Sequence, residues 1–182
     1  MKKRVLAFGA STSSTSINQQ FASYAAHRLQ DDFVITVLDL NDFPMPLFSV
    51  DIERSQGAPE AAFRLKDQIQ SHDGLIISLA EHNGAYTAAF KNAFDWISRL
   101  DGSTWGDKPM LLLSTSPGKR GGASVMDIAS RRFPFDGGAV IATFSLPQFR
   151  INFDPDAGIR DLELAQQFER ALSAFRSRLE GA

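Results

Sequence analysis

The 182-residue chain has no cysteine and only three histidines, two tryptophans and two tyrosines. Without cysteine it can form no disulfide framework, no thiolate nucleophile and no Cys-ligated zinc or iron–sulfur cluster. The scattered His27, His72 and His82 make a poor metal site. Charge of one sign is also missing. Nineteen Lys and Arg face 21 Asp and Glu, a net charge of −2 with a pI near 5.9, so no bulk field draws the chain to nucleic acid or anionic membranes. Long apolar runs are absent too. The basic start at Lys2, Lys3 and Arg4 leads only into Val5 to Phe8 before Gly9, too short for a signal-peptide core. No segment approaches the ~18 apolar residues of a membrane span. The expectation is a soluble, cytoplasmic protein with neither a nucleic-acid nor a membrane partner.

What is present is material for a core, at 43% hydrophobic residues with 15 Phe, enough for one domain over 1–182. Val5 to Phe8, Val34 to Leu38, Leu75 to Leu79, Met110 to Leu113 and Ala139 to Thr143 are nearly continuous apolar runs, the pattern of strands buried on both faces. Helical spacing follows the first run at Ile17, Phe21 and Tyr24-Ala25. It recurs at Ala61, Leu65 and Ile69, at Ala89 to Ile97, and at Leu162 to Leu179. The alternation predicts an α/β, flavodoxin-like three-layer sandwich around a five-stranded parallel sheet, in the order 2-1-3-4-5.

Open α/β sheets bind ligands at the carboxyl ends of their strands, and three loops there are unusual. Ser11 to Ser16 is six consecutive hydroxyl residues before a helix starting near Ser16 or Ile17, suited to a phosphate held by hydroxyls, backbone N–H groups and the helix dipole. Ser16 and Gln19 read equally well as a capping box with a solvated turn before it. The loop has neither G-x-x-x-x-G-K-[ST] nor G-x-G-x-x-G, which leaves a monophosphate as the natural guest. The second loop, Ala80-Glu81-His82-Asn83-Gly84, allows close approach of a flat ligand at Gly84. Asn83 also reads as a helix N-cap and His82 as a surface residue. In the third loop, Pro117-Gly118 and Gly121-Gly122 enclose Lys119-Arg120, exposing N–H groups to a cofactor or forming a solvated turn.

Together the loops resemble the NADPH-dependent FMN reductase family of flavodoxin-like proteins. Its motif P-E-Y-N-G-S followed by K-N-A-x-D-W is matched by Glu81, Asn83 and Gly84 and by the intact Lys91-Asn-Ala-Phe-Asp-Trp96. Its phosphate loop, G-S-x-R-x-x-S-x-N, is similar to the stretch bearing Ser11, Ser13, Ser16 and Asn18, with Ile17 between. Its S-x-S-x-G-x-x-G-G falls on Ser114, Ser116, Gly118, Gly121 and Gly122, and the stretch from Ser145 to Asp161 resembles its closing segment. Three residues depart from the pattern. Ser13 replaces the phosphate Arg, His82 the Tyr beside the flavin, and Ala80 the Pro. The loss at Ser13 removes a fixed charge and a bidentate donor.

The resemblance implies an NAD(P)H-dependent oxidoreductase. NADPH or NADH delivers hydride to FMN, and the reduced flavin serves a small acceptor: a quinone, azo or nitro compound, metal ion or free flavin. The cofactor carries this chemistry, so no catalytic triad is expected. A flavodoxin-type electron carrier is the alternative, although carriers are markedly acidic. A serine hydrolase lacks its G-x-S-x-G elbow here. The run from Lys91 to Trp96 faces several directions on one helix, which with the resemblance predicts a homodimer or homotetramer with Trp96 facing a second surface.

Overall fold

A computed structural model describes residues 2–181. All five apolar runs are strands; the first three agree to within one residue at each end, while the strands of the fourth and fifth extend two and up to three residues beyond their runs. The first half comprises β1 (Arg4–Gly9), α1 (Ile17–His27), β2 (Val34–Val37), α2 (Val50–Gln56), α3 (Glu60–Gln70), β3 (Gly74–Leu79), β4 (Glu81–His82), β5 (Ala85–Tyr86) and α4 (Ala88–Ile97). The second comprises β6 (Lys108–Thr115), α5 (Ala123–Arg132), β7 (Gly138–Leu146), α6 (Phe149–Asn152), β8 (Phe153–Asp154), β9 (Gly158–Ile159) and α7 (Leu162–Glu180). The main sheet is ordered β2-β1-β3-β6-β7 and all of its pairings are parallel, which is the expected 2-1-3-4-5. The order reverses between β1 and β3, where an open sheet of this kind offers its ligand crevice.

The strands alternate their side chains between two cores, as a period of two requires. Leu6, Phe8, Leu75, Ile77, Met110 and Leu112 face Leu65, Ile69, Phe90, Trp96 and Val125 on one side. Val5, Ala7, Ile76, Leu111 and Leu113 face Phe21, Phe168, Leu172 and Phe175 on the other. Phenylalanine fills the second core, where Phe21 meets Phe144, Phe149, Phe153 and Phe168 at ring centroids 5.7–6.5 Å apart.

Two of the differences from the sequence reading concern α5 and Trp96. The helix α5 buries only Val125, Met126 and Ala129, too narrow a stripe to show as periodicity beside its glycines and charges. Trp96 is fully buried within its own chain. Its Nε1–H donates to the Pro46 carbonyl at 2.7 Å, and its ring meets Phe48 edge-on at 5.0 Å. Asn92, one turn earlier, accepts from the Phe48 N–H at 2.7 Å and donates to the Pro46 carbonyl at 3.0 Å. The second surface that Trp96 meets is thus the segment 45–48 of the same chain. The geometric reason for placing another subunit against Trp96 falls away.

Candidate functional site

The helix α1 starts where the hydroxyl run ends because Ser16 caps it, its Oγ accepting from the Gln19 N–H at 3.1 Å. Only half of the expected capping box forms. The Gln19 side chain turns to the sheet instead, accepting from the Gly9 N–H at 2.6 Å and donating to the Leu38 carbonyl at 3.0 Å. Inside the loop, Ser11 Oγ accepts from the Ser13 N–H at 3.1 Å. Among the described residues nothing accepts from the backbone N–H groups of Ser14, Ile17 and Asn18. No acidic residue occupies the first turn of α1. Free N–H donors, hydroxyls and an uncompensated helix N-terminus form a donor set that fits a phosphate monoester.

Asn18 plays a different part from its loop neighbours. It is 3% exposed, and its Nδ2 donates to the Thr115 carbonyl at 3.1 Å. Its Oδ1 accepts from Ser78 Oγ at 2.8 Å and from the Thr115 N–H at 3.0 Å. The amide is therefore committed to tying α1 to the ends of β3 and β6, and its backbone N–H and the second Nδ2 hydrogen have no acceptor among the described residues.

The second loop is a β-hairpin. β4 and β5 pair antiparallel, Glu81 opposite Tyr86 and His82 opposite Ala85, around Asn83 and Gly84 with φ of 52° and 79°. Two successive positive φ angles are what a tight two-residue hairpin turn demands, and Asn-Gly is the pair that adopts them most cheaply. Asn83 therefore caps no helix. Thr87 caps α4, accepting from the Phe90 N–H at 3.2 Å and donating to the Ala10 carbonyl at 2.9 Å. His82 is exposed. Tyr86 is half-buried against Phe90, Phe94 and Phe133, and burial pushes its phenol up to about 12.

Glu81 joins the second loop to the third. Gly122, the residue before α5, has no side chain to cap it, and the Glu81 carboxylate accepts from the Val125 N–H at 3.0 Å in its place. The third loop is held from its other side by β7. A Cβ at Gly121 would lie 2.9 Å from the Leu146 carbonyl, and one at Gly122 2.9 Å from Ser114 Cβ. Both glycines also have positive φ. They let the loop lie flat on its neighbours, while Gly118 accepts from the Gln148 N–H at 2.9 Å. Arg120 folds back onto Ser124 Oγ at 2.7 Å.

These loops converge on one cavity of about 200 Å³, walled by Ser11, Ser13, Ser16, Ile17 and Asn18 from the first, Glu81 and His82 from the second, and Ser116 from the third. Asn83, Gly84, Gly118, Gly121 and Gly122 lie outside its walls and shape the loops around it. Thr15, Ala80, Thr115 and Pro117 also line it. Sequence reasoning left these four out as site residues; the signal for Thr115 was its position at the end of a strand.

The profile of the NADPH-dependent FMN reductases matches residues 3–147. A 2-hydroxy-1,4-benzoquinone reductase of a Burkholderia species is 38% identical over 109 residues, 59% of this chain and 57% of the relative. The match thus spans little more than half the length of that protein. An NAD(P)H-dependent FMN reductase of Pseudomonas aeruginosa is 27% identical over 98% of this chain and 97% of its own. Among solved structures, the flavoenzyme NAD(P)H:(acceptor) oxidoreductase FerB of Paracoccus denitrificans superposes with a TM-score of 0.78 at 25% identity, over 98% of both chains. With the loops in this arrangement and the profile covering most of its length, the chain belongs to the NADPH-dependent FMN reductase family.

Proposed function

We propose that the protein is an FMN-dependent oxidoreductase that draws electrons from NADPH or NADH and passes them to a small acceptor, a quinone foremost. The observation that carries this reading is the convergence of three loops on one cavity at the switch point, with unpartnered N–H donors and no carboxylate at the start of α1. The names of the relatives supply the acceptor class.

In this reading the hydroxyls of Ser11, Ser13 and Ser16, with the N–H groups of Ile17 and Asn18, hold the phosphate of FMN. A cavity of about 200 Å³ is below the ~300–1,000 Å³ of sites that enclose a whole ligand. The flavin ring would then be held outside it by the rim, Glu81, His82, Asn83 and Gly84 on one side and Ser116, Gly118, Gly121 and Gly122 on the other. When bound, FMN supplies the two-electron chemistry that links the nicotinamide to the acceptor. The chain orients the ring and offers backbone donors along the rim. Exposed His82 borders the face left open to alternating substrates. Glu81 positions the rim through α5.

The same reading includes a cytoplasmic location, where reduced nicotinamide serves as donor, and assembly into a homodimer or homotetramer. Support for assembly comes from Leu47 and Val50, 79% and 46% exposed, in and beside the segment held by Asn92 and Trp96. The visible spectrum of freshly purified protein, followed by NADPH oxidation with a benzoquinone, tests the function. Oxidised-flavin absorbance and quinone-dependent turnover are expected; a colourless protein that fails to take up added FMN overturns it.

A further inference from the structure

Resting on the flavin reading above, we propose that Arg150 supplies the cation missing at Ser13 and pairs with the phosphate of FMN. The loop from Ser11 to Asn18 contains no Lys or Arg. A phosphate there would meet only neutral donors and the partial charge of a helix end, each weaker than a charge-assisted pair with a guanidinium. Nothing in the sequence marks residue 150 as a substitute, because it follows β7, far along the chain.

The fold brings it back. Arg150 shares a cavity of about 360 Å³ with Thr15, Ile17, Gln20, Phe149 and Phe153. Thr15 and Ile17 also wall the phosphate cavity, so the two cavities meet at the start of α1. The segment carrying Arg150 is fixed in place. Gln148 and Phe149 donate from their backbone N–H groups to the Gly118 and Ser116 carbonyls at 2.9 and 3.1 Å, and the Phe149 and Phe153 rings stack at 4.6 Å. Asn152 Nδ2 donates to the Pro147 carbonyl at 2.8 Å.

The guanidinium itself is uncommitted. Arg150 is exposed, and among the described residues no acceptor pairs with its side chain. The carboxylate nearest to it in sequence, Asp154, is engaged elsewhere. Asp154 pairs with Arg160 at 2.7 Å and accepts from the Asp156 and Ala157 N–H groups at 3.0 Å. Those contacts, Arg160 foremost, hold its carboxyl down at about 2. An unpaired, well-anchored Arg beside a cation-free phosphate loop is placed to neutralise a phosphate there.

The test is titration of FMN and of riboflavin, which lacks the phosphate, into the wild-type chain and into Arg150→Gln, Arg150→Lys and the double variant Ser13→Arg/Arg150→Gln, read by flavin fluorescence. Arg150→Gln is expected to weaken FMN binding about tenfold or more and to leave riboflavin binding unchanged. Arg150→Lys should recover part of the loss and Ser13→Arg most of it. Equal FMN affinity in Arg150→Gln and wild type overturns the proposal, and so does a loss shared equally by riboflavin. Intact FMN binding with a raised KM for NADPH overturns it as well, by assigning the cation to a phosphate of the nicotinamide. Failure of the wild-type chain to bind either flavin is a separate outcome, which overturns the flavin reading and this proposal with it.

Discussion

Single residues in the loops divide between those that line the cavity and those that hold the loops. In the flavin reading Ser11 and Ser16 combine both roles, since Ser11 accepts from the Ser13 N–H of its own loop and Ser16 from the Gln19 N–H of α1, and each keeps its hydroxyl proton for a phosphate. Neutral hydrogen bonds are worth about 0.5–1.5 kcal/mol each and somewhat more to a charged group. A Ser11→Ala/Ser16→Ala double variant should therefore weaken FMN binding by tenfold or more on the order of those energies, as measured by fluorescence titration. Glu81 is a positioning residue, with a cap as its measurable role. Glu81→Ala should cost about 1 kcal/mol in urea unfolding, the usual loss for a helix cap, whereas Glu81→Gln keeps an acceptor for the Val125 N–H and should cost less. His72 predicts a pH dependence. It is 1% exposed; its Nδ1–H donates to the Gln68 carbonyl at 2.6 Å, because a carbonyl can only accept, and its Nε2 accepts from Thr36 Oγ1 at 2.8 Å. Burial foremost, with Arg4 and Lys108 adding to it against Asp73 and the Gln68 carbonyl, holds the imidazole below its ordinary value of 6.5. As pH falls through 6.5 the unfolded chain binds a proton that the folded chain refuses, so stability declines until the folded-state pKa is reached and is unaffected by this group above 6.5. Urea midpoints between pH 7.5 and 5 should show that decline and should flatten in His72→Gln.

At the scale of elements, the run from Lys91 to Trp96 is explained by what α4 holds down. Phe90, Ala93, Phe94 and Ile97 face the core. Asn92 and Trp96 bind the segment 45–48, and Lys91 pairs with Asp95 at 2.6 Å on the exposed side. Asn92→Ala strands the Phe48 N–H and frees two bonds to backbone carbonyls, a change worth about 1–3 kcal/mol where a buried donor loses its partner. Limited proteolysis should then cut near residues 44–49 well before the rest of the fold, and equal resistance in variant and wild type would refute this role for Asn92. The strands and most of the helices were legible because continuous apolar runs and 3.6-residue stripes report burial directly. Helix α5 was not, because its start depends on a carboxylate 44 residues away.

At the scale of the whole molecule, the remaining expectation is assembly. Light scattering at micromolar concentration should report at least twice the 20.0 kDa of one chain, and replacing Leu47 and Val50 by charged residues should shift that mass toward a single chain. A monomer with full reductase activity would remove assembly from the functional reading. By itself the sequence determined the layered α/β fold, the three loops at the strand ends and the family, since these follow from the period of apolar residues and from local motifs; the strand order came with the fold class that they indicate. Only the tertiary structure decided what the polar residues of those motifs do. It turned the Asn18 amide inward onto Ser78 and Thr115, spent Glu81 on α5 and set Arg150 beside Thr15 and Ile17. A polar side chain's role depends on which partner reaches it first, and here those partners come from 44 to more than 100 residues away, beyond any local pattern.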